Sequence, residues 1–346
     1  MPAAVPERFR AFVVERRDDD VVRSLRDLTP DDLPPGDVTI RVTHSSVNYK
    51  DGLATLPHGK VARISPLVPG IDLAGEIVEG RVPAGDGLDR DLGPGDRVLV
   101  HGYALGSAHH GGYAQLARVP ADWVVPLLPS LTPRDAMAIG TAGYTAALSL
   151  QRLEHNGLRP GDGPVLVTGA SGGVGAMAVS ILAGQGYEVV ASTGSPDAAD
   201  WLRDLGASEV VDRAETGGAP DAPAPKPLER QRWAGAVDCV GGTTLAWTLA
   251  TLRIGAAVAA SGNIAGMALS TSVAPFILRG VSLLGVDSAN TPIGLRRQLW
   301  QRLADDWRPA GLEAMTSEVG HDELPATLDA ILAGRTRGRV VVRLPD

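Results

Sequence analysis

The amino-acid sequence predicts an α/β protein in which a doubly wound parallel sheet follows a β-rich section. The first observation is the run 165–175 (VLVTGASGGVG), where an apolar, β-branched stretch leads into a turn of small residues. The second is a helical pattern without proline at 176–182, and the third is another apolar run at 187–191, at βαβ spacing. This order predicts a site for a dinucleotide pyrophosphate, because glycines let the backbone approach the phosphates and a helix N-terminus faces them with free N–H groups.

The composition is that of an ordinary globular protein. The chain has 346 residues, of which 44% are hydrophobic and 21% charged, and this length suffices for about two domains with separate cores. The formal net charge of −8 disfavours a nucleic-acid partner, since no basic stretch with interleaved aromatic residues offsets it. No apolar run approaches the roughly 18–20 residues of a membrane span, and residues 1–10 lack the apolar core of a signal peptide. We therefore expect no membrane partner and no export.

The cysteine content bears on location and on chemistry. Cys239 is the only cysteine, which excludes an intrachain disulfide and favours a reducing, cytoplasmic location. Its neighbours at 236–240 (AVDCV) form an apolar run typical of a buried strand. We therefore expect Cys239 to be a small core residue rather than a nucleophile.

The first part of the chain is typical of β structure. Short apolar or alternating runs are separated by Gly, Pro and Asp, as in a β-rich domain. These runs lie at 9–15, 37–43, 74–78, 97–100 and 119–127. Residues 34–36 (PPG) and 93–96 (GPGD) predict turns, because proline presets φ and glycine accepts a positive φ.

From Thr132 onward the pattern changes to helices alternating with strands. Thr132 followed by proline is typical of a helix start, and the Ala-, Gly- and Leu-rich residues 136–153 predict helix packed beneath a sheet. The predicted strands are 165–168, 188–192, 209–211, 235–240, 256–261 and 282–286. The predicted helices between them are 176–185, 197–205 and 245–252. This alternation predicts the doubly wound sheet, and the Pro- and Gly-rich residues 217–227 predict an exposed loop within it.

The last part of the chain predicts a return to the first domain. Two helical patterns, 295–303 and 323–332, precede a final apolar strand at 339–344. That strand has no place in the parallel sheet, so we expect it to join the β-rich domain. The domains predicted in this way are 1–130, 131–288 and the returning segment 289–346, which makes the β-rich domain discontinuous in sequence.

Five residue strings resemble one family. They are 45–51 (SSVNYKD), 69–75 (PGIDLAG), 140–146 (GTAGYTA), 169–175 (GASGGVG) and 275–288 (PFILRGVSLLGVDS). They resemble the zinc-free branch of the medium-chain dehydrogenase/reductase superfamily, and more narrowly its acrylyl-CoA reductase group, also described as quinone oxidoreductases. The resemblance covers nearly the whole chain. It implies a Rossmann-type sheet for the parallel domain and a GroES-like, catalytic fold for the β-rich domain.

The donor groups of the chain argue against zinc. Where zinc-dependent relatives carry metal ligands, this chain has Asn48, Ile71 and Gly140, whereas catalytic zinc requires thiolate, imidazole or carboxylate ligands. No set of four cysteines exists for a structural site, and the pair His109–His110 lies in a Gly-rich turn without a third ligand. We therefore expect no metal.

The second strand of the parallel sheet indicates which dinucleotide is selected. NAD-selecting enzymes place a carboxylate at its end to accept a hydrogen bond from the ribose 2′-OH. Here Thr193, Gly194 and Ser195 offer hydroxyl and N–H groups instead, which favours the 2′-phosphate of NADPH. The family often has arginine where this chain has Ser195. Arg213 is the candidate for the missing charge, with a solvated surface arginine as the alternative.

The resemblance implies further cofactor contacts. Around the pyrophosphate these are Ser171, Gly172, Gly173 and Val174, and elsewhere Tyr49, Asn263, Ile277 and Ser288, the last three near the nicotinamide. Asn263 and Ile277 also follow strands at the carboxyl edge of the sheet, where ligands bind in such folds. For Ile277, plain core packing is an equal alternative.

The absence of a metal favours one kind of hydride transfer. Alcohol oxidation is difficult without a Lewis acid, whereas reduction of an alkene conjugated to a carbonyl requires a positioned nicotinamide, a hydrogen-bond donor and a proton. Tyr49 is the candidate catalytic residue, either as proton donor or as cofactor anchor. Asp72 is the second candidate and, with Asp51, a possible partner of that site; capping of a following helix is an equal reading of Asp51.

The resemblance implies NADPH-dependent reduction of acrylyl-CoA to propionyl-CoA. Reduction of quinones or other enones on the same scaffold is an alternative, because a fold does not determine its substrate. A protein that binds NADPH without turnover is a third possibility. Relatives are commonly homodimers, and the predicted strand 282–286 could pair across a sheet edge. A monomer is the alternative.

Overall fold

The computed structural model describes residues 5–219 and 225–345, which form two compact units. The first unit comprises the residues up to 141, together with 288–305 and the residues from 316 onward. The second unit comprises 142–287 and 306–315. The domain limits predicted from the sequence, 1–130, 131–288 and 289–346, stay a prediction.

The strands and helices are numbered in chain order. The strands are β1 (Phe9–Arg17), β2 (Asp20–Leu28), β3 (Val38–Val47), β4 (Asp72–Gly80), β5 (Arg97–His101), β6 (Leu116–Val119), β7 (Val125–Pro126), β8 (Val165–Thr168), β9 (Val189–Thr193), β10 (Glu209–Asp212), β11 (Trp233–Asp238), β12 (Leu252–Ala260), β13 (Ser282–Gly285), β14 (Thr316–Gly320) and β15 (Arg339–Arg343). The helices are α1 (Tyr49–Ala54), α2 (Pro133–His155), α3 (Gly173–Gly184), α4 (Ala199–Asp204), α5 (Gly242–Thr251), α6 (Ala274–Arg279), α7 (Ile293–Ala304) and α8 (Leu324–Leu332).

The second unit contains a six-stranded parallel sheet in the order β10-β9-β8-β11-β12-β13. The chain leaves β8 in one direction and continues from β11 in the other, so the strand order reverses between these two strands. Leu166, Val190, Ala236 and Val258 are buried in its core. The predicted doubly wound sheet is confirmed, and the crevice at such a reversal is where open α/β sheets bind ligands.

The first unit contains a seven-stranded sheet in the order β14-β15-β3-β4-β5-β7, with β6 also paired to β3 and a separate β1–β2 hairpin. The predicted return of the final strand is confirmed, because β15 pairs antiparallel with β3, Val342 opposite Ser45. This pairing places Arg339, at the start of β15, beside the end of β3 and the turn that follows.

Several elements differ from those predicted. β2, β14, α1 and α6 were not predicted as regular elements. β2 (DVVRSLRDL) carries charges on both faces, so its strand character comes from pairing with β1 and not from alternation. Residues 119–127 were predicted as one or two strands; the structure has the end of β6 and the short strand β7, separated by a 3-10 turn at Ala121–Trp123.

The turns and loops agree with the sequence where they are described. Thr132 forms a cap before α2, since the Asp135 N–H donates to its Oγ1 at 3.0 Å. Cys239 is buried directly after β11. Of the predicted loop 217–227, residues 220–224 lie outside the described residues, and the described residues on either side form neither helix nor strand. No helix in the described ranges is long and apolar enough to cross a membrane.

Candidate functional site

The turn between β8 and α3 has the shape of a phosphate site. Gly169 adopts a φ of +62°, and a Cβ atom on Gly175 would collide with the carbonyl oxygen of Gly169. These two positions therefore require glycine. The N-cap residue Gly172 provides no side-chain cap, which leaves the first N–H groups of the 12-residue helix α3 available to an anion. The predicted residues Gly173 and Val174 form that first turn.

Hydroxyl groups join this turn to the end of the neighbouring strand β9. The Oγ atom of Ser171 is 2.9 Å from the Oγ1 atom of Thr193. The N–H of Ser195 donates to the same Oγ1 at 3.1 Å. Two of the predicted groups, the pyrophosphate turn and the residues after β9, are therefore adjacent.

The side chain of Arg213 lies against Gly194. A Cβ atom on Gly194 would be 2.6 Å from Cδ and 2.8 Å from Nε of Arg213. The register explains this contact, since Asp212 at the end of β10 is opposite Thr193 at the end of β9. Asp212 also accepts a 2.8 Å hydrogen bond from the Ala214 N–H, which fixes the turn that carries Arg213. A guanidinium group thus lies beside the strand end that lacks a carboxylate.

A buried hydrogen-bond chain joins β8 and β11, where the strand order reverses. The Thr168 hydroxyl donates to Oδ1 of Asp238 at 2.7 Å, and the Gly241 N–H donates to Oδ2 at 2.7 Å. The Ser261 N–H donates to the Asp238 carbonyl at 2.9 Å. Burial raises the pKa of Asp238, while the bonds from Thr168 and Gly241 act in the opposite direction.

Two predicted nicotinamide contacts follow the strands at this edge. The Asn263 Nδ2 atom lies 2.7 Å from the sulfur of Met267 within the loop after β12. Ile277 on α6 is 72% exposed, so the alternative interpretation of Ile277 as a core residue is wrong. Ser288 belongs to the first unit, where its carbonyl oxygen accepts a 3.2 Å hydrogen bond from the buried Arg296 guanidinium.

In the first unit, Tyr49 is the first residue of α1. It follows β3 directly, is 40% exposed, and its hydroxyl forms no hydrogen bond with the described residues. Asp51, two residues later, caps this helix, because its Oδ2 accepts from the Asn48 N–H at 2.9 Å. Asp51 therefore has a capping role, but as the third residue of α1 in a capping box with the N-cap residue Asn48, and not as the cap of a helix that follows it. Its other oxygen, Oδ1, accepts from the N–H groups of Gly70 at 3.2 Å and Ile71 at 2.9 Å.

Asp72 and Arg339 are both buried, and both bind the side chains of Ser46 and Asn48. Asp72 has no solvent exposure; it accepts from Ser46 Oγ at 2.7 Å, from the Thr141 N–H at 2.8 Å and from Asn48 Nδ2 at 3.2 Å. Arg339 is 3% exposed and donates to Ser46 Oγ at 2.7 Å and to Asn48 Oδ1 at 3.0 Å. Burial lowers the pKa of Arg339, and the nearby carboxylates of Asp72 and Asp51 oppose that shift.

Arg339 was not predicted as a site residue. The only local signal was a charged residue at the start of an otherwise apolar run, RVVVR, which reads equally well as a solvated strand end. Its importance follows from the return of β15 to β3. Buried charges are seldom retained without a partner, and here each partner is itself buried.

The same region does not fit zinc. Of the three positions that the resemblance aligns with metal ligands, Asn48 accepts a hydrogen bond from Arg339, Ile71 is apolar, and a Cβ on Gly140 would be 2.7 Å from Nη2 of Arg339. A guanidinium is therefore the local cation. Across the described ranges, no group of three or more His, Cys, Asp or Glu side chains could hold a metal ion.

Two family models match the chain. The model described as the alcohol dehydrogenase GroES-like domain matches residues 34–130. The model described as zinc-binding dehydrogenase matches residues 173–305. The second match covers most of the parallel sheet and none of the three positions at which zinc ligands were considered.

Relatives match over nearly the full length. Acrylyl-CoA reductase AcuI of Ruegeria pomeroyi is 47% identical over 96% of this chain and 98% of that protein. "Putative quinone oxidoreductase YhfP" of Bacillus subtilis is 46% identical over 97% of this chain and 99% of that protein; its crystal structure with NAD bound has a TM-score of 0.92. The YhdH oxidoreductase of Salmonella enterica, crystallised with NADP, has a TM-score of 0.91 at 42% identity, covering 97% of this chain and 100% of that one. This chain therefore belongs to the acrylyl-CoA reductase group of the medium-chain dehydrogenase/reductase superfamily.

Proposed function

We propose that this protein catalyses the NADPH-dependent reduction of the C=C bond of an α,β-unsaturated acyl thioester, with acrylyl-CoA reduced to propionyl-CoA. The observation that carries this proposal is the 47% identity to an acrylyl-CoA reductase over 96% of the chain. The geometry of the pyrophosphate turn and of Arg213 supports the choice of cofactor.

The reaction needs a hydride at the β-carbon, which bound NADPH supplies, and a proton at the α-carbon. The π bond of the alkene breaks, and its electron pair passes to the thioester carbonyl before the α-carbon takes the proton. NADP⁺ and the saturated thioester are the products. The chain must therefore bind the dinucleotide, orient the alkene, stabilise a developing enolate oxygen and deliver one proton.

We assign binding of the pyrophosphate and of the 2′-phosphate to the second unit. The N–H groups that begin α3, with Ser171 beside them, bind the pyrophosphate. Thr193, Gly194 and Ser195 offer hydroxyl and N–H groups to the 2′-phosphate, and Arg213 supplies the positive charge. Asn263, Ile277 and Ser288 are assigned to the nicotinamide end. The guanidinium next to Gly194 supports NADPH over NADH, since a 2′-phosphate is a dianion.

We assign the proton to Tyr49, whose exposed hydroxyl has no competing partner within the described residues. A cofactor-anchoring role is the alternative for this residue. Asp72 supports Tyr49 indirectly. Its carboxylate and the Arg339 guanidinium both bind the side-chain amide of Asn48, the residue that precedes Tyr49. Asp72 is too enclosed to reach a substrate, so its contribution to catalysis is one of support.

We propose that the reaction proceeds without zinc. The support is the donor set: an amide already bonded to Arg339, an aliphatic side chain and a glycine at the three aligned positions. Elemental analysis of active enzyme is expected to give far less than one zinc per chain, and incubation with EDTA should leave the rate unchanged. Stoichiometric zinc whose removal abolishes activity would overturn this point.

A quinone or enone reductase is the second candidate, favoured by the 46% identity to a protein named for quinone reduction. An NADPH-binding protein without turnover is the third. NADPH consumption with acrylyl-CoA, crotonyl-CoA and a benzoquinone separates them. We expect kcat/KM for acrylyl-CoA to exceed that for the benzoquinone by about 10²-fold or more, which corresponds to roughly 3 kcal/mol of transition-state binding. The reverse order supports the second candidate, and tight NADPH binding without consumption supports the third.

We also propose that the protein is a homodimer. Strand β13 is an edge of the six-stranded sheet, and the apolar side chains Leu278 and Leu283, 65% and 38% exposed, lie on α6 and on this edge. Within the described residues, the other edge of β13 has no partner strand, and an open strand edge beside exposed apolar residues is typical of an interface. Light scattering is expected to give the mass of two chains, and Leu283→Lys to give a monomer; a wild-type monomer would contradict the proposal.

The proposed location is the cytoplasm. Its support is the single cysteine, Cys239, which is buried and forms no disulfide. Cell fractionation that recovers NADPH-dependent activity with cytoplasmic markers tests this location, and recovery outside the cytoplasm contradicts it.

A further inference from the structure

The Asp51 carboxylate joins two separate segments of the first unit. It has no solvent exposure, and each of its oxygens accepts hydrogen bonds from a different segment. Oδ2 accepts from the Asn48 N–H at 2.9 Å and from Asn48 Nδ2 at 3.3 Å. Oδ1 accepts from the N–H groups of Gly70 and Ile71 at 3.2 and 2.9 Å. One side chain thus holds the start of α1 to the turn that leads into β4.

These two segments carry the groups to which we assign chemistry. Tyr49 stands between Asn48 and Asp51, and Asp72 follows Ile71 directly. The Tyr49 hydroxyl has no hydrogen bond within the described part of the chain, so no such bond fixes the direction of the side chain, and the backbone of this first helical turn sets the position from which it extends. The position of that backbone depends in turn on Asp51.

Burying a charged carboxylate such as Asp51 costs free energy that a helix cap does not require. The chain forms the same kind of cap elsewhere with an exposed carboxylate: the Thr29 N–H donates to Asp32 Oδ2 at 2.7 Å. At Asp51, burial and the neighbouring Asp72 carboxylate raise the pKa to about 7. The charged and titratable groups that face it are Asp72 on β4, Arg339 on β15 and the Tyr113 hydroxyl. A cap requires only the bond to the Asn48 N–H, so the additional bonds from Gly70 and Ile71 point to a role beyond capping.

We propose that Asp51 is a positioning residue for the reductase reaction: it touches neither substrate nor cofactor, and it fixes the direction of Tyr49 by binding the Asn48 and Gly70–Ile71 amides at once. The proposal rests on the proposed role of Tyr49. An error of about 1 Å in the position of a reacting group costs up to roughly 10²-fold in rate. Loss of Asp51 should therefore lower kcat while leaving NADPH binding intact.

The test is a double-mutant cycle between Asp51→Asn and Tyr49→Phe, with Asp32→Asn as the matched cap control. Asp51→Asn keeps the size of the side chain but replaces one acceptor by a donor that faces N–H groups. We expect it to lower kcat with acrylyl-CoA about 10- to 100-fold and to change the NADPH Kd by less than about threefold. Asp32→Asn should change kcat by less than about twofold. In the Tyr49→Phe background, Asp51→Asn should lower kcat by less than about twofold further.

The outcomes separate this proposal from the one on which it rests. If Tyr49→Phe has no effect on kcat, the proposed role of Tyr49 in catalysis is wrong, and so is the positioning role of Asp51. If Tyr49→Phe lowers kcat but Asp51→Asn lowers it equally in both backgrounds, only the positioning role falls.

A spectroscopic measurement that needs no turnover distinguishes a repositioned Tyr49 from a loss of activity caused by misfolding. In protein labelled with 3-fluorotyrosine, the ¹⁹F resonance of Tyr49, assigned by its loss in Tyr49→Phe, should broaden or shift in Asp51→Asn and not in Asp32→Asn. An unchanged resonance overturns the proposal. Should Asp51→Asn fail to fold, Asp51→Ser replaces it, because the smaller side chain leaves room for water to satisfy the four N–H groups.

Discussion

The Thr168 hydroxyl donates a 2.7 Å hydrogen bond to the buried carboxylate of Asp238 and so joins the ends of β8 and β11, the two strands between which the sheet reverses its order. Gly169, the first residue of the phosphate turn, follows Thr168, and Gly241, at the start of α5, donates to the other oxygen of Asp238. One ionisable group without solvent exposure therefore links the phosphate turn, the end of β11 and the start of α5.

Thr168→Val is expected to weaken NADPH binding and to destabilise the protein. It leaves Oδ1 of Asp238 without its hydroxyl donor, which costs about 1–3 kcal/mol, and it frees the strand end that precedes the phosphate turn. Fluorescence titration should give an NADPH Kd raised about 3- to 10-fold, with a lower melting temperature. Thr248→Val is the matched control, because the Thr248 hydroxyl bonds only within α5, to the Thr244 carbonyl. Equal effects of the two variants on Kd would contradict the role of Thr168.

Ser195→Asp is expected to weaken NADPH far more than NADH. A carboxylate at the end of β9 repels the 2′-phosphate dianion and accepts from a ribose 2′-OH. The ratio of the two Kd values should shift toward NADH by about 10²-fold, which corresponds to roughly 3 kcal/mol. Ser195→Ala provides the neutral control. A similar loss for both cofactors would remove the argument for a 2′-phosphate site at this strand end.

Gly194→Ala is expected to lower NADPH affinity through Arg213. The new methyl group would lie 2.6 Å from Cδ of Arg213, so the arginine must move away from the strand end. The loss of one charge-assisted hydrogen bond amounts to about 1.5–3 kcal/mol, and Arg213→Gln should reproduce the effect. In the double variant the two losses should not add. Unchanged NADPH binding in Arg213→Gln would make Arg213 a surface residue.

Tyr49→Phe is expected to lower kcat more than it lowers NADPH affinity. If the hydroxyl delivers the proton, its removal costs about 10²- to 10⁴-fold in rate, whereas a cofactor anchor would raise the NADPH Kd instead. Tyr187→Phe is the control, because that hydroxyl bonds to Glu154 in the second unit at 3.0 Å. A turnover rate equal to that of the wild type would reduce Tyr49 to a packing residue.

The pH dependence of stability should report the buried Asp51. Its pKa is raised from 3.8 to about 7 in the folded protein, so between these values the folded state holds a proton that the unfolded state has lost. The free energy of unfolding contributed by Asp51 is therefore fully present below about pH 4 and falls as pH rises to 7. At 1.36 kcal/mol per unit the change approaches roughly 4 kcal/mol.

Asp51→Asn isolates this effect. The melting temperature of the wild type minus that of the variant should decrease between pH 5 and pH 8, and the same difference for Asp32→Asn should not. A difference for Asp51→Asn that stays constant with pH would contradict the raised pKa.

Much of the fold could be predicted from local patterns. Strand β8 occupies the predicted residues 165–168, and the strands around it deviate by a few residues at their ends. Buried parallel strands are continuous apolar runs, so that their sequences indicate them directly. β2 and β14 lack that signal, since they are half exposed and become strands by pairing with β1 and β15.

The candidate site divides in the same way. The glycine turn and the missing carboxylate after β9 are short-range features, and the sequence alone indicated both. The spatial neighbours of these groups could not be predicted. Arg213 could be named only as a candidate for a missing charge, because its contact with Gly194 depends on the register of β10 against β9.

By itself, the sequence determined the order of strands and helices, the glycine turn after β8, and the absence of a carboxylate in the residues directly after β9, because each depends on residues close together in the chain. Only the tertiary structure decided which polar groups surround each buried charge. Arg339 and Asn48 are 291 residues apart, and the Asp51 carboxylate reaches amides 19 and 20 residues away. Such contacts depend on strand pairing and burial across the whole sheet, and the free energy of a buried charge is decided by all of its neighbours together.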